Sequence, residues 1–349
     1  MDPEFTIVEG PYFRDILDQP KALLDTWKAL KTQPILEELA GRLKQGNFSR
    51  IVLTGMGSSY FALHPLNLAL LEHGLSPILM ETSELIHYGQ GLFEPSTLLV
   101  AVSQSGQTVE IVRMLELNRM RASIIGVTNT PHSPLAELAD AFVPFHAGEE
   151  ASVPCKTYVS SLLVLRWLAD VLCSRDPDPT LRELAEAPRL VENYLARCAS
   201  HVWGIADVLE GARRLFLVGR GPSLAAVGSG SLSIQESNGV FAEGLSSARF
   251  RHGPMGVLDA GTFVLVFGGD SRTLSLNTRL SQDIQAAGAR SVLCCPDSDF
   301  EPMRIPSGPE GLRPILEILP VQMITLALAA MYNQEAGRFE RSTHLTAEE

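Results

Sequence analysis

Lysine is scarce in this chain of 349 residues: Lys21, Lys28, Lys31, Lys44 and Lys156 are the only ones, and none follows position 156. With 28 Lys plus Arg against 40 Asp plus Glu, the formal net charge is −12, and no basic run offsets it. A nucleic-acid surface needs clustered cations, so none is expected. An anionic small molecule would have to be held by a few donors in one pocket. Cysteine supplies no framework either. Cys155, Cys173, Cys198, Cys294 and Cys295 are odd in number and show no C-x-x-C spacing, which argues against a disulfide scaffold or a zinc site and fits a reducing cytoplasm. No metal or cofactor is expected. No signal peptide opens the chain, and MDPEFT, short and polar, is left out of the fold. The longest apolar stretch, PILEILPVQMITLALAAMYNQEAG, is interrupted by Glu317, Pro320 and Gln322, so it reads as a buried helix and no membrane contact is expected.

What is present is apolar material and a pattern. At 45% hydrophobic and 19% charged, the chain can build one large domain or two ordinary ones. RIVLTGMGSSYFALHPLNLALLEHG from Arg50 and RLFLVGRGPSLAAVGSGSLSIQES from Arg214 both run from an aliphatic strand through Gly-x-Gly-x-Ser into a helical pattern. TLLVAVSQSGQTVEIVRML from Thr97 and TFVLVFGGDSRTLSLNTRL from Thr262 recur at nearly the same offset. SPILM, SIIGVTN, AFVPF and SVLCCP add short strands between amphipathic segments. This alternation predicts parallel sheets flanked by helices, in two doubly wound α/β subdomains. The expected division is a leader and helical arm at 1–45, a first subdomain at 46–180, a linker helix at 181–199, a second subdomain at 200–335 and a tail at 336–349.

The segment after TLLVAV carries the chemistry. In an open parallel sheet, ligands sit beyond the C-terminal strand ends, where the next helix offers unpaired N–H groups and the positive end of its dipole. Ser103, Ser105 and Thr108 fall in that turn and the first helical turn. Capping needs one hydroxyl; three within six residues, with Gly106 among them, suit a phosphate-sized anion. Gly55-Met56-Gly57-Ser58-Ser59 ends the neighbouring strand in a similar way. It is no dinucleotide fingerprint, because Tyr60 stands where G-x-G-x-x-G has its third glycine.

GMGSS, ETSELIHY, SQSGQT and EEASVPCKTY, followed by IQESNGVFAEGLSSARFRHGP, closely resemble the sugar isomerase (SIS) domain family over about residues 45 to 335. Within it, the chain looks like the tandem-domain branch: the isomerase half of glucosamine-6-phosphate synthase, fructosamine-phosphate deglycases and aminosugar-phosphate isomerase/deaminases. The resemblance implies two flavodoxin-like SIS subdomains. It implies that Ser103, Gln104, Ser105 and Thr108 bind a sugar phosphate, that Ser58 and Ser59 line the same pocket, and that Lys156 adds a charge there. It implies that Glu236 is the isomerising acid/base and His252 the ring-opening residue, supplied from a neighbouring subunit in a homodimer with shared active sites. A carboxylate suits proton return on one face of an open-chain sugar, and imidazole suits proton exchange at a ring oxygen near neutral pH.

Three departures matter. The synthase's glutaminase domain and its cysteine nucleophile are absent from this sequence, so glutamine is not the expected nitrogen donor. The family's helical lysine three residues before the glutamate is Ser233 here. The tail GRFERSTHLTAEE carries no lysine; His344 or Ala347 stands where the family's Schiff-base lysine would align. A substrate that brings its own nitrogen can form an enaminol or imine without that lysine, which favours an aminosugar or ketosamine phosphate. Three alternatives share the fold: a sugar-phosphate-binding regulator without catalysis, an ammonia-dependent synthase-like isomerase, and an etherase of lactyl-sugar phosphates, which usually has one SIS unit.

Overall fold

The computed structural model describes residues 9–119 and 121–338. The tail positions His344 and Ala347 and the MDPEFT leader lie outside the described residues. Three helices come first: α1 (Pro11–Leu17), α2 (Gln19–Ala29) and α3 (Pro34–Lys44). Strand and helix then alternate through β1 (Arg50–Gly55), α4 (Gly57–Glu72), β2 (Pro77–Glu81), α5 (Thr82–Tyr88), β3 (Thr97–Val102), α6 (Val109–Asn118), β4 (Ser123–Thr128), α7 (Pro134–Leu138) and β5 (Ala141–Pro144). All five strands are parallel, in the order β2-β1-β3-β4-β5. Every residue of β3 is buried, as a central parallel strand covered on both faces must be, which is why its sequence is continuously apolar and not alternating. One face packs Val52, Leu99 and Ile124 against Ile86 of α5, Ile111 and Met114 of α6 and Leu135 of α7. On the other face α4 packs on β1, β2 and β3 and against α8 (Lys156–Leu172).

Helices α9 (Asp178–Leu184), α10 (Ala187–Leu195) and α11 (Cys198–Leu209) precede a second alternation. It runs β6 (Arg214–Gly219), α12 (Leu224–Asn238), β7 (Ala242–Ser246), α13 (Ser247–Arg251), β8 (Thr262–Phe267), α14 (Leu274–Ala286), β9 (Arg290–Cys294) and α15 (Arg313–Tyr332). The sheet is again parallel, ordered β7-β6-β8-β9. One face buries Phe216, Val218 and Val264 against Phe250 of α13 and Leu280 and Ile284 of α14. The other face is covered by α12, which lies close because its small residues allow it. A Cβ on Gly230 would come within 2.8 Å of Leu217 on β6, and one on Gly244 of β7 within 2.7 Å of the Val227 carbonyl. These two helix-flanked parallel sheets are the doubly wound pair the sequence predicts.

Among the described residues, one compact unit gathers 9–20, 150–155 and 186–338, and the other 21–149 and 156–185. The first unit, built on the second sheet, therefore recruits α1 and a short loop far from it in sequence. Asp15 Oδ2 accepts from the Ala151 N–H at 2.9 Å, Ser152 Oγ donates to the Gly337 carbonyl, and the Gln19 and Gln322 amides exchange hydrogen bonds of 2.9 and 3.0 Å. α15 is the buried helix expected from its sequence. By length and apolarity alone, Glu310–Tyr332 would pass for a membrane span, but 83% of its most apolar stretch is packed inside the fold.

Candidate active site

The order β2-β1-β3-β4-β5 reverses direction between β1 and β3, and at such a switch point the helices that follow leave on opposite faces and open a crevice. Both hydroxyl-rich turns start there. Gly55 and Val102, the last residues of β1 and β3, are register partners. They approach so closely that a Cβ on Gly55 would lie 2.9 Å from the Val102 carbonyl oxygen. The chain then turns at Gly57, whose φ of +52° favours glycine, and enters α4 with Ser58 and Ser59 in its first turn. Ser58 is buried and Ser59 half-buried.

The second turn, Ser103 to Thr108, is built as a small nest. Ser103 Oγ accepts from the Gly106 N–H at 3.1 Å and Ser105 Oγ from the Gln107 N–H at 3.3 Å. The sequence places Gln107 and Thr108 on the helix. In the structure α6 begins at Val109, because Thr108 is extended (ψ 154°) and serves as the residue before the first turn. Thr108 makes no capping bond, and its Oγ1 is buried with no hydrogen-bond partner. A buried hydroxyl without a partner beside the orphan N–H groups of a helix start has the polarity that an anion site requires.

Sequence reasoning missed what braces this nest. The Gln104 carbonyl accepts from Thr128 Oγ1 at 3.0 Å and from the Asn129 N–H at 3.2 Å, and the Gly106 carbonyl from the Leu135 N–H at 3.1 Å. Gly106 has a φ of +65°, and a Cβ there would sit 2.2 Å from Ser133 Oγ. Gly106→Ala is therefore expected to cost about 1–3 kcal/mol in stability and to abolish binding of a phosphate ester, measured by thermal unfolding and by phosphorus NMR titration. Glu110, buried in the first turn of α6 with Oε2 unpartnered, is a second unforeseen feature. Lys156 opens α8 and is 5% exposed.

The corresponding turns of the second sheet differ. After β8, Asp270 puts a buried carboxylate where the first sheet has hydroxyls; Arg272 Nε donates to it at 2.8 Å and Thr273 Oγ1 at 3.3 Å. After β6, Ser223 Oγ donates to Glu317 Oε1 of α15 at 3.0 Å. The donors of these turns are already engaged by the protein's own carboxyl groups.

Glu236 lies on the last turn of α12. Its Oε2 is buried without a hydrogen-bond partner, and burial pushes the carboxyl up from 4.5 to about 7. A carboxyl poised near neutrality can both take and return a proton. His252 caps the short helix α13, exposed, and no hydrogen bond joins it to Glu236 among the described residues. Ser233, at the family's lysine position, is buried and bonds back to the Ser229 carbonyl at 2.8 Å. No group of three or more His, Cys, Asp or Glu among the described residues could hold a metal ion.

Residues 47–170 match the model of the SIS domain family. The chain is 29% identical over 337 residues to the isomerizing glutamine–fructose-6-phosphate aminotransferase of Pyrococcus horikoshii, an alignment covering 93% of this chain and 55% of that protein. The chain thus spans about half the length of the curated relatives it matches. The C-terminal domain of glucosamine-fructose-6-phosphate aminotransferase from Francisella tularensis has a TM-score of 0.80 at 19% identity, over 93% of this chain and 96% of the domain. A glucosamine-6-phosphate deaminase from Thermotoga maritima has a TM-score of 0.77 at 18% identity, over 97% of this chain and all of its own. These two structures share the fold.

Proposed function

We propose that the chain is a tandem-SIS phosphosugar isomerase or deaminase acting on an aminosugar or ketosamine phosphate. The observation that carries this reading is the braced turn Ser103–Thr108 at the β1/β3 switch point, with its unpartnered Thr108 hydroxyl, in a segment that matches the SIS domain. In this reading Ser103, Gln104, Ser105 and Thr108 anchor the phosphate, and Ser58, Ser59 and Lys156 add contacts to it and the sugar. The acid turn at Asp270 supports a single anion site per chain.

Glu236 carries the chemistry. With an open-chain 2-amino sugar, its carboxylate removes the C2 proton to give an enaminol, and the same carboxyl returns that proton to C1. The product is a ketose imine, and water adds to the imine carbon as ammonia leaves. The C1 aldehyde makes the C2 proton acidic; no lysine lies among the described residues of the unit that carries Glu236, so the nitrogen of the ketose imine is the substrate's own. His252, exposed at the end of α13, is assigned to ring opening in the site of a second copy.

An NMR-monitored incubation with glucosamine 6-phosphate, galactosamine 6-phosphate and fructosamine 6-phosphate tests this. Ammonia with a ketose phosphate is the expected product of one of them. Binding of all three without turnover would make the chain a sugar-phosphate sensor and overturn the reading.

A further inference from the structure

Two side chains in the last turn of α12 each carry a buried oxygen without a hydrogen-bond partner, Glu236 Oε2 and Asn238 Oδ1. Unsatisfied polar atoms are rare in native folds, and two of them in one helix-end turn leave it with few bonds of its own. α12 ends there in the left-handed Gly239, the place where helices fray. Something must hold this turn if Glu236 is to meet a substrate carbon within a fraction of an ångström.

On its outer side, Gln235 Nε2 donates to the Ala242 carbonyl of β7 at 2.7 Å. On its buried side, Asn238 Nδ2 donates to the Thr325 carbonyl of α15 at 3.0 Å, and Thr325 Oγ1, which donates to the Gln322 carbonyl at 2.7 Å, shares a 3.2 Å hydrogen bond with the Tyr12 hydroxyl. That hydroxyl also lies against Ser237. Tyr12 itself is wedged. It is fully buried, and Gly337 crosses it so closely that a Cβ on Gly337 would lie 2.6 Å from the Tyr12 Cβ. Asp15, one turn further along α1, is tied to Ala151.

We infer that Tyr12 is a positioning residue for Glu236: through Thr325 and Asn238, its hydroxyl fixes the last turn of α12 in the arrangement in which Glu236 carries out proton transfer. The inference rests on the reading of Glu236 as acid/base. It goes beyond that reading by giving α1, distant in sequence, a part in the reaction.

Tyr12→Phe deletes one oxygen from a packed ring, and Thr325→Val deletes the same link from the other side. Both are expected to lower kcat about 10- to 100-fold with KM within about twofold, measured on the substrate that the panel above identifies. The double variant should fall well short of the product of the two single effects, because both remove the Tyr12–Thr325 link, although each also loses a bond of its own, Tyr12 to Ser237 and Thr325 Oγ1 to the Gln322 carbonyl. Thr325→Ser keeps the hydroxyl and should restore wild-type kcat. A readout that needs no substrate accompanies these: in Tyr12→Phe, the Glu236 carboxyl followed by carbon-13 NMR should titrate at least about half a pH unit away from its wild-type midpoint. A merely structural Tyr12 would lower Tm and leave kcat and that midpoint unchanged, and this result would overturn the inference. Full activity in Glu236→Gln would instead overturn the acid/base reading itself, so the two failures are told apart.

Discussion

Glu236→Gln is expected to lower turnover of the aminosugar phosphate by about 10²- to 10⁴-fold, the usual worth of a positioned general base. Binding of a hexitol 6-phosphate should stay within about twofold, because the phosphate is assigned to other residues. Glutamine keeps the shape and one acceptor oxygen, but it cannot take up the C2 proton and deliver it to C1. The pH profile supplies the second half of the test. The Glu236 carboxyl is raised to about 7 by burial. Its active form as a base is the carboxylate, so kcat/KM should rise tenfold per pH unit up to about 7 and level off above it. In Glu236→Gln the residual rate should lose that limb. Wild-type turnover in the variant, or a profile flat from pH 5 to 8 in the parent enzyme, would remove Glu236 from the reaction.

How much of this was legible in the sequence follows from the range over which each feature is determined. TLLVAV, RIVLTG and TFVLVF announce themselves because a strand covered on both faces must be apolar throughout, and β3, β1 and β8 lie where those runs are. The turn chemistry of Ser103–Thr108 is local too, and six residues are enough to suggest an anion nest. What braces that nest comes from Thr128, Ser133 and Leu135, beyond a helix and a strand, and no pattern inside SQSGQT points to them. Tyr12 is a stronger case. On a short amphipathic arm it reads as one more apolar residue, and its link to Thr325 spans 313 positions. The family pattern singled out Glu236, whose buried carboxyl the structure supplies, and His252, which the structure leaves exposed on its own chain.

The C-terminal helix shows the same limit and carries the second large effect. In the sequence, Glu317 is an interruption that argues against a membrane span. In the structure it is fully buried at the C-terminal edge of the second sheet, where Oε1 accepts from Ser223, the Gly269 N–H supports it and Oε2 has no partner. Arg313 favours its ionised form, while Asp270 on a neighbouring segment opposes it. Burial dominates and pushes the carboxyl from 4.5 to about 8. The sign follows by linkage. Below about pH 4.5 both folded and unfolded chains hold the proton, and the group costs little. Between 4.5 and 8 the unfolded chain releases the proton while the folded chain keeps it, so stability falls as pH rises and levels off above about 8. Glu317→Gln removes that dependence and keeps the acceptor for Ser223. It is expected to stabilise the protein at pH 8 by about 2–4 kcal/mol, less than the full linkage term because the amide adds buried N–H groups. The gain should shrink towards zero, or reverse, near pH 5. Urea unfolding of both proteins at the two pH values reads this directly. A variant that is less stable than the parent by the same amount at both would mean that Glu317 stays ionised against Arg313, a buried ion pair rather than a neutral acid.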